Sequence, residues 1–260
     1  MDKERLDYGT ARTAAELRLQ LAQMTAASQL LERTAADERS RDCLAALNQG
    51  ICRMLRIVGR LELSLRLGGE EPPRLERVPV DLARSTRELG ERLAGLLAYA
   101  GVSLKVDAPE RLHAQADEGL VEQMLMELVS NAAKAGKNVT LALACQGGQA
   151  VFTVEDDGPG IDPERLRYLF SSEEEAVPDW RRGGVGVAVA RRVAALHGGA
   201  LVAGCAPGKG LRAVASIPLG TAEGALLETP ALAWDRGGFD EGLVALSDLL
   251  PARAFRPEDE

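Results

Sequence analysis

Three short segments of the chain carry residue types whose spacing can do chemistry. In MLMELVSNAAKAG (124–136), Glu127, Asn131 and Lys134 fall at i, i+4 and i+7. That is one stripe of a helix surface, and Leu125, Leu128 and Ala132 fall on another. A carboxylate, an amide and a cation in line can polarise water, hold Mg2+ and meet a phosphate; a solvated charged stripe has the same spacing. In VEDDGPGI (154–161), a strand-like run ends at Asp156 and glycines follow at 158 and 160. Glycine lets a backbone turn approach a ligand closely. Asp156 would then accept a hydrogen bond from an amino group such as that of adenine, and a plain Asp-Gly turn reads the same way. In RRGGVGVAVARRVAALHGG (181–199), Gly183, Gly184 and Gly186 precede a helix whose first N–H groups and dipole favour phosphate. Each segment alone is weak; their order and spacing make them strong as a set.

The elements that must position these residues alternate between helix and strand. Asp81 caps a helix to about Ala100, VSLKVDA (102–108) is strand-like, and Asp117 opens a helix through Ala135. NVTLALACQ and QAVFTVED flank a Gly-Gly turn and predict a β-hairpin. Asp162-Pro163 is a cap followed by proline at the first helical position, starting a short helix to about Phe170. After the glycine-led helix, which ends at Gly198, ALVAGC and LRAVASIPL pair around PGKG. The expected sheet is mixed and largely antiparallel, with helices on one face.

Ahead of this region, residues 10–67 read as a helical hairpin. Leu44, Leu47, Ile51, Met54, Val58, Leu61 and Leu65 keep a strict 3-4 spacing, and Leu17, Leu21, Met24, Ser28 and Leu31 match it. That is a coiled-coil or bundle seam. AADERSRD (35–42) is the expected polar turn. One hairpin buries little surface alone, so two copies pairing as a four-helix bundle is the expected solution, with a monomeric hairpin packed on its own second domain as the alternative. The fold class is therefore α+β: a helical-hairpin dimerisation domain (1–70), a linker (71–80) within the Gly- and Pro-rich GGEEPPRLERVPV, a two-layer α/β sandwich (81–219) and a tail (220–260). In the tail, DRGGFDEGLVALSDLLPARAF predicts a short helix with Leu243, Leu246, Leu249 and Leu250 as its apolar face, and the PEDE end is expected to be disordered.

Composition narrows the function. Of 260 residues, 46% are apolar but only 3% aromatic, so aliphatic side chains must fill the core. A formal charge of −8 excludes nucleic acid as the main partner, since phosphate contacts need clustered Lys and Arg. Cys43, Cys52, Cys145 and Cys205 lack metal-ligand spacing and read as reduced, mostly buried thiols. No apolar run reaches the roughly 20 residues that span a bilayer, and no signal peptide is evident, so the expected location is cytoplasmic without membrane insertion.

Taken together, the three segments resemble the ATP-binding domain of sensor histidine kinases, within the superfamily that includes the gyrase ATPase. ELVSNAAKA is similar to the family's N box, DDGPG to its DxGxG box, GGVGVAV to its GLGL box, and LRYLF puts Phe170 at its F box. The resemblance covers about residues 78–219, and the hairpin extends it to about residue 10. It implies ATP and Mg2+ as ligands. Asn131 would ligate Mg2+ and Lys134 approach the phosphates. Asp156 would bind the adenine amino group, Gly158 and Gly160 would shape the pocket, and Gly184 and Gly186 would sit at the phosphates. Residues 171–182 would form the mobile ATP lid. Glu127 stands where related ATPases have their general base. Arg182 replaces a family glycine, and Leu211 a threonine.

The resemblance also implies a phosphoacceptor histidine in a motif similar to HELRTPL. AELRLQL puts Ala15 at that position, with Glu16, Leu17 and Arg18 matching. The only histidines, His113 and His197, fall inside the ATP-binding region. Alanine has no nucleophile, so conventional self-phosphorylation should fail. Three readings follow: a degenerate kinase that regulates a response regulator or partner kinase as an ATP-binding homodimer; an active kinase using Thr13 or a partner's histidine; and a slow ATPase with Glu127 as base.

Overall fold

A computed structural model describes residues 2–34, 37–68, 74–162, 164, 166, 185–205, 210–220 and 239–256. The chain divides into two compact units, one of residues 1–70 with 231–260, the other of residues 71–230.

In the first unit, helix α1 (Asp2–Glu32) packs against helix α2 (Glu38–Gly68). The turn between them is shorter than AADERSRD suggests. Asp37 accepts from the Ser40 N–H at 2.8 Å and the Ser40 hydroxyl at 2.9 Å, so the α2 helix starts at Glu38. Those hydrogen bonds hold the Asp37 carboxyl below its usual range. Arg18 meets Glu62, and Ser28 donates to Asn48 at 2.6 Å. These two ties set the register and divide the predicted seam in half. Leu21, Ser28, Leu44, Ile51 and Val58 are buried inside the hairpin. Leu17, Met24, Leu31, Leu47 and Met54 are exposed.

The rest of this unit is the C-terminal segment. Helix α6 (Glu241–Leu246) is capped by Asp240 and followed by the 3-10 turn Ala252–Phe255, and both pack on α2. The buried apolar residues are Val244, Leu246, Leu250 and Phe255. Leu243 and Leu249, expected on the apolar face, are only half-buried. The helix ends at Leu246 and Pro251 follows, so one continuous helical period does not apply.

The second unit begins with strand β1 (Val78–Asp81), which lies where the sequence reads as linker and pairs antiparallel with β3 (His113–Ala116). Helix α3 (Leu82–Ala98), strand β2 (Ser103–Asp107), helix α4 (Glu118–Ala135) and the hairpin strands β4 (Asn138–Gln146) and β5 (Gln149–Asp156) follow. Helix α5 (Val185–Leu196) and strands β6 (Ala200–Cys205) and β7 (Leu211–Pro218) complete it. The main sheet has the order β2-β4-β5-β7-β6, parallel only between β2 and β4. Its register sets Leu141 beside Val154 and Val154 beside Ala213, then Leu143 beside Phe152 and Phe152 beside Ala215. All six are buried, forming the face on which α3, α4 and α5 pack. This is the expected two-layer α+β sandwich. Among the described residues no helix is long and apolar enough to cross a membrane.

Of the four free cysteines only Cys52 is fully buried, whereas Cys43 and Cys145 are exposed, contrary to the expectation of mostly buried thiols. Cys145 sits beside the Gly-Gly turn of the β4–β5 hairpin, where side chains face water.

His197 joins two helices. It follows α5, and its Nε2 accepts from the backbone N–H of Asp117 at 3.1 Å. Nδ1 therefore carries the proton and donates to the Val193 carbonyl at 2.8 Å. Asp117 is the cap of α4, accepting from the Leu120 N–H. Burial pushes the imidazole pKa down. The fold thus holds the neutral form, while the unfolded chain takes up a proton below the ordinary value of about 6.5. Stability tied to His197 is complete above that value and lost as pH falls below it. Urea unfolding followed from about pH 8 to about pH 5 should show this loss, and His197→Gln should flatten the profile. An equally steep profile in the variant would assign the titration to another group.

Candidate functional site

Helix α4 carries the first predicted stripe. It starts at the Asp117 cap and stops where Gly136 turns extended, its N–H still reaching the Ala132 carbonyl at 2.9 Å. Glu127 is buried at 6% exposure, which excludes the solvated-stripe reading for that residue. One turn on, Asn131 is half-buried, and Lys134 in the last turn is exposed. Burial therefore grades along the stripe, from a desolvated carboxylate to a cation in water.

The second segment leaves the end of β5. Asp156 is buried, and its Oδ1 accepts from the N–H of Gly158 at 2.9 Å and of Leu211 at 3.3 Å. Among the described residues Oδ2 makes no hydrogen bond, so it is available to an outside donor. At Gly158 the close approach is to the protein itself: an added Cβ would lie 2.6 Å from the Ala135 carbonyl oxygen. Glycine is therefore needed there by the end of α4, whatever its place beside a ligand. Gly160 has φ +76, and the carbonyl of the next residue, Ile161, accepts from the Cys205 thiol at 3.2 Å. The turn is thus held between α4 on one side and the β6–β7 end on the other.

Three contributors were not legible as site residues. Asp157 accepts from the Asn138 N–H at 2.9 Å, the Asn138 side chain at 2.6 Å and the Lys137 N–H at 2.7 Å. Those bonds, Asn138 foremost, hold its carboxyl down to about 2. Adjacent aspartates have separate tasks, the first facing the site and the second stapling the α4–β4 turn to β5. Gly136 lies against Asp157, where a side chain would collide with the carboxylate. Gly210 has φ +71, and a Cβ there would overlap the Asp156 carbonyl. The signals were present as the second Asp of DDGPG and the last Gly of PGKG, but both look like ordinary turn residues in isolation. At Leu211, flagged for lacking a hydroxyl, the backbone N–H is what contacts Asp156.

Gly186 is buried in the first turn of α5, and α5 packs along α4. Gly184, Arg182, Phe170 and residues 171–182 lie outside the described residues. Asp162 does cap as predicted, accepting from the Glu164 N–H at 2.9 Å. Ala15 is on α1, exposed and next to the buried Ala14. The arrangement offers an acceptor oxygen at the end of β5, and an amide and a carboxylate on α4. That set suits a ligand with an amino group at one end and charged oxygens at the other.

Residues 116–221 match the family described as histidine kinase-, DNA gyrase B-, and HSP90-like ATPase. The chain is 33% identical over 174 residues to the sensor-like histidine kinase SenX3 of Mycolicibacterium smegmatis, covering 64% of this chain and 45% of that protein. It is 29% identical over 211 residues to the sensor histidine kinase ZraS of Klebsiella oxytoca, covering 79% of this chain and 44% of that one. The chain therefore spans less than half the length of these two relatives. Among solved structures, full-length ShkA in complex with AMPPNP aligns with a TM-score of 0.67 and 27% identity, covering 83% of this chain and 46% of that one. With the matched residues running from the end of β3 through β7 and enclosing the site just described, the chain carries a histidine-kinase-type ATP-binding domain and is similar over that region to sensor histidine kinases.

Proposed function

We propose that this chain is a cytoplasmic signalling protein that binds Mg-ATP, pairs as a homodimer and does not phosphorylate itself on histidine. The observation that carries the nucleotide reading is Asp156, a buried carboxylate with one oxygen held by two backbone N–H groups and the other available. An exocyclic amino group is the natural donor to that oxygen. Among the described residues no cluster of three or more His, Cys, Asp or Glu is present to hold a metal. Mg2+ needs no such cluster, because it keeps waters and binds through one or two protein oxygens plus substrate phosphates. The half-buried Asn131 amide fits that role, and Lys134 places an exposed cation in the last turn of α4, three residues on. A nucleotide analogue bound to ShkA supports the same reading.

The exposed apolar residues Leu17, Met24, Leu31, Leu47 and Met54 support dimerisation, since a second copy of the hairpin would bury them as a four-helix bundle. Ala15 supports loss of self-phosphorylation. Neither histidine substitutes for it: both ring nitrogens of His197 are bonded to the backbone, and His113 lies in β3. The hydroxyl of Thr13 is bonded to the Gly9 carbonyl. The output would then pass to a response regulator or partner kinase through conformation. The buried Glu127 favours a second reading, a slow ATPase with that carboxylate as base.

Asp156→Asn separates the ligand role from the structural one, because Asn keeps an oxygen for Gly158 and Leu211 and turns the other position into a donor. The variant should unfold near the wild-type temperature and lose the stabilisation by Mg-ATP, which for wild type reaches about 2.7 kcal/mol at a hundredfold excess over Kd. Asn131→Ala should lose it also. Retained stabilisation in both variants would overturn the site.

With γ-labelled ATP, wild type should acquire no acid-labile label and Ala15→His should acquire it. Acid-labile label on the wild-type chain would refute the degenerate reading. Release of free phosphate that falls by about a hundredfold or more in Glu127→Ala, the size expected for losing a general base, would establish the ATPase.

A further inference from the structure

The C-terminal segment is held on α2 in a way that differs from ordinary core packing. Gln49 donates to the Leu250 carbonyl at 2.7 Å, Arg53 to the Ser247 carbonyl at 3.2 Å, and Asn48 to the Phe255 carbonyl at 3.3 Å. Arg56 pairs with Asp248 at 2.6 Å, and Arg256 reaches back to Glu38 and Asp42 near the start of α2. Side chains along one face of α2 thus read successive carbonyls of the segment, while Val244, Leu246, Leu250 and Phe255 supply the buried apolar surface.

The segment owes its order to that face. Its helix has six residues and its 3-10 turn four, well below the roughly 12–15 residues at which isolated helices become marginal in water. The dependence does not run the other way. The inner face of α2, with Leu44, Ile51 and Val58, is buried inside the hairpin, where Asn48 also bonds Ser28 and Glu32. Gln49 and Arg53 are donors that water satisfies on release, so departure of the segment leaves no unpaired group at either position. The helix beneath can therefore outlast its cover.

We propose that residues 239–256 are a releasable clasp that opens and closes on the outer face of α2 while the hairpin stays folded. Residues 221–238 join the clasp to the end of β7, so a closed clasp ties the chain of the nucleotide-binding domain to the hairpin at a second point, beyond the connection through residues 69–77. Opening removes that tie and uncovers a strip of α2 rich in hydrogen-bond donors. Because the ligand is part of the same chain, its effective concentration is high and closure is the resting state.

Cys52 is the built-in reporter. It is fully buried, and burial with the nearby Asp240 carboxylate pushes the thiol up to about 12, so it is inert while the clasp is closed. Cys43 on the same helix is exposed and Cys145 is exposed in the other unit, giving internal controls. In the full chain, alkylation at each cysteine is followed by mass spectrometry while helix content is followed by circular dichroism. Leu250→Ala and Phe255→Ala should each speed Cys52 labelling by about tenfold or more, as expected for loss of a buried apolar anchor from a locally opening segment. Cys43 and Cys145 rates and ellipticity should stay unchanged. Unchanged Cys52 labelling in both variants would overturn the proposal, and so would faster labelling that appears only in step with loss of ellipticity, since Cys52 would then open by unfolding of the hairpin.

Discussion

Burying the carboxylate of Asp156 is the constraint around which the ATP-binding domain is arranged. A carboxylate removed from water must find hydrogen bonds inside the protein. Here they come from Gly158, two residues on, and from Leu211 at the start of β7. The first bond bends the chain back immediately after β5. The second requires β7 to begin beside β5, which the antiparallel pairing of Glu155 with Arg212 provides. Both bonds need backbones closer than side chains allow, hence glycine at 158 against the Ala135 carbonyl and at 210 against the Asp156 carbonyl. One acid thus accounts for two glycines, a turn and a strand register, and its remaining oxygen is left for chemistry.

The hairpin shows a different logic, in which half of an apolar pattern is satisfied within the chain. An a/d repeat reads as one seam, but two helices can bury only the residues that face each other. The Arg18–Glu62 and Ser28–Asn48 ties select Leu21, Ile51 and Val58 for the interior and leave Met24, Met54, Leu31 and Leu47 outside. A third face of α2 carries Gln49, Cys52, Arg53 and Arg56, and the C-terminal segment lies there. In the structure α2 therefore packs with one face on α1 and with another on the C-terminal segment, while the face with Leu47 and Met54 is exposed.

Local signals with a short physical reach were the legible ones. Asp81 and Asp117 announce their helices because a carboxylate beside free N–H groups acts within three residues. The β4–β5 hairpin and the buried rows of the sheet follow from alternation around a Gly-Gly turn. The ATPase domain type was legible from the order and spacing of the three segments, before any geometry. What escaped depends on partners distant in sequence. Strand β1 is too short and proline-bearing to announce itself without Ala114 and Ala116 opposite. Asp157 looks identical to Asp156 until Asn138 is placed beside it. The apolar face of the tail could not be read from its leucines, because Pro251 breaks the period and Phe255 supplies the last anchor.

Ala15 and Gly210 stand under opposite constraints from folding. Position 15 is exposed in the middle of a long helix, where alanine is the best helix former. Folding therefore places no demand on a nucleophile there. Gly210 allows no such freedom, since any side chain would collide with the backbone of Asp156 and distort the β5–β7 edge. Gly158 and Gly210 are thus fixed by packing, whereas packing leaves position 15 open to any residue that suits an exposed helix site. On the degenerate reading proposed above, replacing an acceptor at position 15 leaves the fold unchanged, while the turn around Asp156 persists because packing requires its glycines.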